Sequence, residues 1–503
     1  MNRHTDPTRR WLVKATGATV LSNVIPTNAC HAQAATASPL PGSGATAAAG
    51  ANADAPSISP NTVVLADYVA GALDRELPDA VVARTKLHIL DTFAAMVSGS
   101  RLKAGEFAAR YVDSLGGKPQ AMVVGTGIVT SVVNAALANA MAAHADETDD
   151  TNPIGPFHAG CGAVSAALAT AELTGKSGRD MLRAVALGYD IGARLVASLG
   201  GGRRHSPSCL TTTFVAAAAT AAMLRLDRRQ VCHVFSYAGQ QASGIGYWDR
   251  DREHVEKAFD FGGMGARNGV MAATMVALGC TGVEDPFSGE ENVFTALAEK
   301  PAPEKLVAEL GTRFEVFNTT IKKWSVGSPL QSVLDSMTAL LEDPAVRAGN
   351  IKHIAVEIPT ESLRIVDNAT IPDLCLQHLV ALMIADGGAT FASVHDAARM
   401  SDPRVLAIRK LVEIVPSREL QLATPARQAI INIETADGRS LQHRTYVVRG
   451  TARNPMDAKE VEAKALDLTA PVLGADRTRE LIAAVGSLDG FGPVSGLRRL
   501  LQA

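Results

Sequence analysis

The chain has 503 residues, 47% of them hydrophobic and 20% charged, with a formal net charge of −3 at pH 7. That is long enough for more than one domain and ordinary for a soluble globular protein; it gives no electrostatic argument for nucleic acid or an anionic membrane as partner. Aromatic residues make up 4%, too few for a base-stacking platform, whereas abundant alanine and glycine favour closely packed helices.

Residues 1–34 read as an export signal. Arg9-Arg10 precedes Trp11, Leu12, Val13 and Lys14, a mildly apolar run follows at 15–25, and Ala32-Gln-Ala34 supplies small residues for cleavage. The paired arginines are similar to the twin-arginine signal, whose export machinery passes folded proteins, so a periplasmic location is expected. The apolar run is too short to span a bilayer stably, and no stable membrane insertion is expected after processing. Residues 35–60, almost all Ala, Gly, Ser and Pro, form a flexible linker.

From residue 61 to about 320 the apolar spacing predicts helices over 63–69, 81–98, 129–143, 163–174, 178–198, 211–224, 228–243 and 265–278. Gly175 and Gly279 stand where two of them should end. The pattern changes near Ile321. Residues 351–359, 429–435 and 443–448 alternate like strands, the last two joined by the turn Asp437-Gly438. Helical stretches at 329–341, 374–385 and 405–414 lie between them, which makes 321–452 an α+β domain. Residues 453–503 are helical again (459–469, 478–485) and are expected to rejoin the first domain. The fold class is mainly α: a large all-α helical domain with a smaller α+β lid.

The chemistry is concentrated in His144-Ala-Asp-Glu-Thr-Asp-Asp-Thr151, followed by His158 in Pro156-Phe-His-Ala-Gly160. Four carboxylates and two histidines between alanine-rich helices suit proton transfer at a helix–loop–helix junction. A hard cation is the other chemistry for such acids, but the calcium-loop spacing and its central glycine are missing. Six scattered cysteines without a C-x-x-C pair argue against zinc, a clustered iron–sulfur site and a disulfide scaffold. Cys161 reads as a small buried hydrophobe rather than a nucleophile. No G-x-S-x-G, P-loop or H-E-x-x-H occurs. Gly262-Gly-Met-Gly265-Ala-Arg-Asn-Gly269 lacks the spacing of a dinucleotide fingerprint; anion binding by backbone amides at a helix start and close helix packing both remain open.

His144-x-x-Glu-x-Asp-Asp-Thr151, His158-Ala-Gly160, Gly175-x-Ser-Gly178, Gly188-Tyr-Asp190, Lys257 before Gly262, Gly279-Cys-Thr-Gly282, Lys322-x-Trp324 and Pro471-Val-Leu-Gly474 occur in that order. Together they resemble the MmgE/PrpD family, which holds 2-methylcitrate dehydratase, cis-aconitate decarboxylase and iminodisuccinate epimerase. The resemblance implies a homodimer and lyase or isomerase chemistry on a small carboxylate, without metal or other cofactor. It places Glu147 and His158 as proton carriers, and Lys257 and Lys322 at substrate carboxylates or an enediolate. His144, Asp149 and Asp150 would line the substrate. A carboxylate beside His158 is expected to orient its ring and raise its pKa.

The chain departs from the family pattern at several of these places. Asp260 stands where the family often has a histidine in Lys-x-x-His-x-Gly. His205-Ser206-Pro-Ser208 replaces Phe-His-Pro-Thr, Gln331 replaces a histidine near Lys322, and His378 replaces a lid tyrosine. The substrate is therefore expected to differ from plain 2-methylcitrate or cis-aconitate. Dehydration or decarboxylation of a di- or tricarboxylate is the leading expectation. Epimerisation of an amino- or imino-dicarboxylate on the same site is the alternative, and a non-catalytic periplasmic carboxylate-binding protein is the rival from another class.

Overall fold

The computed structural model describes residues 58–155, 157–200, 207–246, 248–347 and 350–503. The expected export signal lies outside the described residues, as does the linker up to residue 57. The first described helix is Pro60–Ala70; the Ser59 hydroxyl accepts from Thr62 N at 3.4 Å and Pro60 fills its first turn. Both residues suit a helix start, because the cap satisfies an orphan amide and proline has none to lose.

The chain is mainly α, with a second, smaller α+β region. Helices Val132–Ala143, Ala159–Thr174, Pro207–Met223 and Met264–Ala277 pack against one another in the larger part. Their small side chains permit close approach. A Cβ on Gly265 would lie 2.6 Å from Thr212 Cβ, and one on Gly269 would lie 2.5 Å from both Thr213 O and Ala217 N. The glycine run at 262–269 therefore serves helix packing. Its amides continue through a π-helical turn, Phe259–Gly263, into Met264–Ala277 rather than opening a helix start toward an anion.

Three local expectations differ from what is observed. The stretch 129–143 begins as a two-residue strand, Val129–Thr130, because the Ser131 hydroxyl accepts from Asn134 N at 3.3 Å and starts the helix only at Val132. The stretch 405–414 is a short helix, Pro403–Arg409, followed by a strand, Val412–Ser417; its alternation joins it in parallel to Ile351–Pro359. The last strand is Ser440–Thr445 rather than 443–448, since the tight turn at Gly438 (φ 86°) brings Ser440 opposite Glu434. Helix Lys103–Leu115, absent from the expected elements, buries Ala104, Ala108 and Val112 and packs on Val132–Ala143.

The four-stranded sheet runs in the order Val412–Ser417, Ile351–Pro359, Ala429–Thr435, Ser440–Thr445, parallel only at its first pair. Its inward residues Ile354, Val356, Ile431 and Ile433 form a core of their own with helices Gln331–Leu340 and Leu376–Asp386. Helix Ala458–Leu473 packs on Asp79–Gly99 of the larger part. From it Lys464 reaches Asp91 Oδ1 at 2.6 Å and Thr148 O at 2.9 Å, bracing the acidic loop.

Candidate active site

Helix Val132–Ala143 stops at His144, and helix Ala159–Thr174 starts just after His158. The two histidines thus bracket one loop that carries all four carboxylates. Asp146, Glu147, Asp149 and Asp150 are each at most 5% exposed. Charges so deeply enclosed need partners, and each carboxylate has its own.

Asp146 accepts from Thr148 N (3.0 Å) and Thr148 Oγ1 (2.6 Å), and lies 2.8 Å from His395 Nε2 of the α+β region. Glu147 pairs with the ammonium of Lys257; Lys322 Nζ lies 3.4 Å from its second carboxylate oxygen and donates to its backbone carbonyl at 2.7 Å. Asp149 Oδ1 accepts from both histidines, His144 Nδ1 at 3.0 Å and His158 Nδ1 at 2.9 Å. Asp150, expected at the substrate, turns the other way. It accepts from His88 Nδ1 at 2.9 Å, the Tyr189 hydroxyl, and Gly160 N at 3.1 Å, and so anchors the loop to the helical core. Gly160 permits this approach, since a Cβ there would sit 2.5 Å from Thr92 Oγ1 and 3.2 Å from Asp150 Oδ1.

The lysines come from two separate segments. Asp251 Oδ2 accepts from Lys257 N at 2.9 Å, and His254, with φ 57°, turns the chain into the short helix Val255–Ala258. The Lys257 ammonium lies about 5 Å from the ring centres of Trp248 and Phe261, within cation–π range. Lys322 is fully buried. It is held by a bridge in which Thr151 and Thr320 exchange backbone hydrogen bonds of 3.0 and 2.9 Å.

Burial and charge oppose each other at Glu147, Asp149 and His158. Burial would raise Glu147, but Lys257 and then Lys322 hold its carboxyl well below the ordinary range. Burial would raise Asp149 too, and His144 and His158 hold it far down. At His158 burial wins: desolvation outweighs the pull of Asp149 and lowers the ring to about 4. The expectation that the neighbouring carboxylate would raise it is corrected on that ground. His158 is therefore neutral at pH 7, its Nδ1–H donated to Asp149 and its Nε2 free to accept. His144 stacks flat on Phe261 at 4.7 Å and meets His158 edge-on at 4.4 Å.

His144, Asp149 and His158 also form a group of described side chains whose donor atoms, within 4.8 Å of one another, could hold a metal ion. Lys322 Nζ stands 4.0 Å from the same Asp149 oxygen, so a cation there would face a buried ammonium. Both Nδ1 atoms are already spent on hydrogen bonds to Asp149.

Other expected residues are placed as follows. Asp260 is buried within the π-helical turn, one turn from Lys257. Gln331 spends its amide on Trp324 O, Val326 O and Trp324 N, at 2.8, 2.9 and 3.1 Å, and so fixes the segment that follows Lys322. His378 is sealed in the α+β core; burial and then Arg409 and Arg399 lower it to about 4, and neither ring nitrogen is hydrogen-bonded. His205 and Ser206 lie outside the described residues. Cys161 is buried with its thiol pushed well up, and donates to His158 O at 3.1 Å.

Three further residues join the site without having been singled out in the sequence. His254 Nδ1 lies 4.0 Å from Glu147 Oε1, and burial together with Lys257 lowers its ring to about 3. Burial would lower His395, but its contact with Asp146 raises it to about 9. Asp373, buried among His395, Asp146 and Glu147, is raised to about 7, mainly by desolvation.

The MmgE/PrpD N-terminal domain model matches residues 63–306, and the MmgE/PrpD C-terminal domain model matches residues 324–489. The chain belongs to the MmgE/PrpD family. Among curated relatives it is 25% identical to the cis-aconitate decarboxylase of Homo sapiens over 470 residues, covering 88% of this chain and 94% of that protein. It is 23% identical to the cis-aconitate decarboxylase-like protein oryM of Aspergillus oryzae, covering 88% and 97%. The family and these relatives point to an enzyme of the lyase type.

Proposed function

We propose that the chain is a cofactor-independent lyase that dehydrates or decarboxylates a small di- or tricarboxylate by proton transfer at carbon next to a carboxylate. The observation that carries this reading is His158: a neutral ring anchored through Nδ1 to a buried carboxylate, with Lys322 Nζ 4.0 Å from that same carboxylate. Nε2 takes the proton from the substrate carbon, and the electron pair left behind moves into the adjacent carboxylate as an enediolate. Lys257 and Lys322 stabilise that charge. In dehydration the pair then expels hydroxide, which leaves as water with a proton returned from the site. In decarboxylation the carbon–carbon bond breaks first, carbon dioxide leaves, and the electron pair left on the carbon that carried it takes a proton supplied by solvent through the site.

Glu147 keeps the two ammonium groups charged and placed until substrate carboxylates replace it. Freed of them, its own carboxylate becomes the second base. A homodimer, and export through the twin-arginine route to the periplasm, belong to the same proposal; the motif Arg9-Arg10 supports the export.

Asp260 favours one alternative. A buried acid at the position where the family often has a histidine suits an amino or imino group, and hence epimerisation of a dicarboxylate. The test is incubation of the purified protein with a panel of hydroxy-, amino- and unsaturated di- and tricarboxylates. New double-bond absorbance signals dehydration, released carbon dioxide signals decarboxylation, and a change in optical rotation signals epimerisation. Tight binding of one compound with none of these would replace the proposal with a non-catalytic carboxylate binder.

A further inference from the structure

A cavity of about 300 Å³ opens beside Lys322, between the acidic loop's continuation at Thr151–Asn152 and the α+β region. Its described lining contains three cationic side chains, Lys322, Arg427 and Arg453, and no carboxylate. In a protein of net charge −3 such one-sided lining is a local choice.

Arg427 is the residue to explain. Its neighbours in the same region are paired: Arg439 with Asp343 and Asp437, Arg444 with Glu419, Arg449 with Glu460. Among the described residues Arg427 has no hydrogen-bond or ion-pair partner. Burial lowers its pKa, partly offset by the charge of Glu147. Yet the residue keeps substantial open surface, and it lines the cavity. It is also held at φ 62°, a left-handed conformation that is strained for a non-glycine residue. Strain of this kind persists where surrounding structure enforces it, commonly at ligand sites.

We propose that Arg427, with Arg453 beside it, is a specificity-determining subsite for a substrate carboxylate remote from the reacting carbon. Lys322 is the hinge between the two ends: it meets Glu147 on one side and lines the cavity on the other. The subsite requires a substrate carrying at least two carboxylates, and rewards a third. A cavity of this size lies at the small end for ligand pockets, which suits a molecule of about the bulk of a tricarboxylate. This assignment rests on the carboxylate reading of the site.

The experiment measures binding, so it separates this claim from turnover. Dissociation constants for tricarballylate, glutarate and butyrate are obtained by calorimetry for the parent, Arg427→Gln and Arg453→Gln. In the parent, affinity rises with each added carboxylate. In Arg427→Gln tricarballylate binds about 10- to 100-fold more weakly, the size expected for a lost charge-assisted hydrogen bond, while butyrate is unchanged. Ser328→Asp, which places a carboxylate in the cavity and leaves both arginines intact, produces the same selective loss should Arg427→Gln fold poorly. Equal weakening of all three acids, no change in the variants, or no binding of any acid by the parent overturns the subsite. Selective loss in a protein that turns over nothing leaves the subsite standing and removes the catalytic reading.

Discussion

Glu147→Gln removes the one negative charge that two buried ammonium groups share. Among the described residues Lys257 is left with the faces of Trp248 and Phe261. Lys322 keeps the Glu147 backbone carbonyl at 2.7 Å and Asp149 at 4.0 Å. Breaking a buried pair by removing one partner costs about 3–5 kcal/mol. Lys322 retains partners, so the lower end applies, about 3 kcal/mol. With an unfolding entropy of about 2.1 cal/mol/K per residue, spread over the compact unit Ser57–Ala503, the melting temperature should fall by about 3 °C. Circular dichroism melts at pH 7 measure this. Added tricarballylate should then restore more stability to the variant than to the parent, because its carboxylates fill the vacated anion position. An unchanged melting temperature would refute the claim that Glu147 neutralises the two lysines.

Four other outcomes follow from the geometry. His158 must be neutral to accept a proton and is lowered to about 4, so kcat/KM should fall as pH drops through about 4; a limb near pH 6.5 would mean the ring is not desolvated. His395, raised to about 9 by Asp146, contributes stability that is full below about pH 6.5, the ordinary histidine value, and is lost as pH rises through about 9. His395→Gln should therefore lower the melting temperature at pH 6 and leave it nearly unaltered at pH 10, and an equal loss at both would sink the contact. Gly269→Ala puts a methyl 2.5 Å from Thr213 O, an overpacking that should cost about 1–3 kcal/mol in urea unfolding; a neutral substitution contradicts the tight helix contact. Dialysis against a chelator should leave turnover intact, whereas activity lost and then restored by a divalent cation would make His144, Asp149 and His158 a metal site.

The helical part was legible because its signals are local. Gly175 marks a helix end whatever the tertiary context, and alanine-rich periodic runs have few alternatives to packed helices. The acidic loop was legible for the same reason, since its carboxylates and histidines are adjacent in the chain. His254, Asp373, His395 and Arg427 were not. Each stands alone in a segment without periodicity and reaches the loop only through packing across more than a hundred residues. The helical pattern at 405–414 runs over the start of the strand Val412–Ser417, because the alternation there is short and follows a helical run directly. The sign of the His158 shift needed the depth of burial, which no local pattern carries. Asp150 looked equivalent to Asp149, and only the positions of His88 and Tyr189 separate an anchor from a site residue.

Proton exchange at the substrate carbon tests the central claim most directly. The purified protein is incubated in heavy water with a di- or tricarboxylate that it turns over, and deuterium is followed by NMR at the carbon next to a carboxylate. The account predicts deuterium entering at that carbon in the parent, and a fall of about 10²–10⁴-fold in His158→Gln, the usual size of a lost general base, with substrate binding retained. Turnover without exchange, or exchange at the parent rate in His158→Gln, would contradict it.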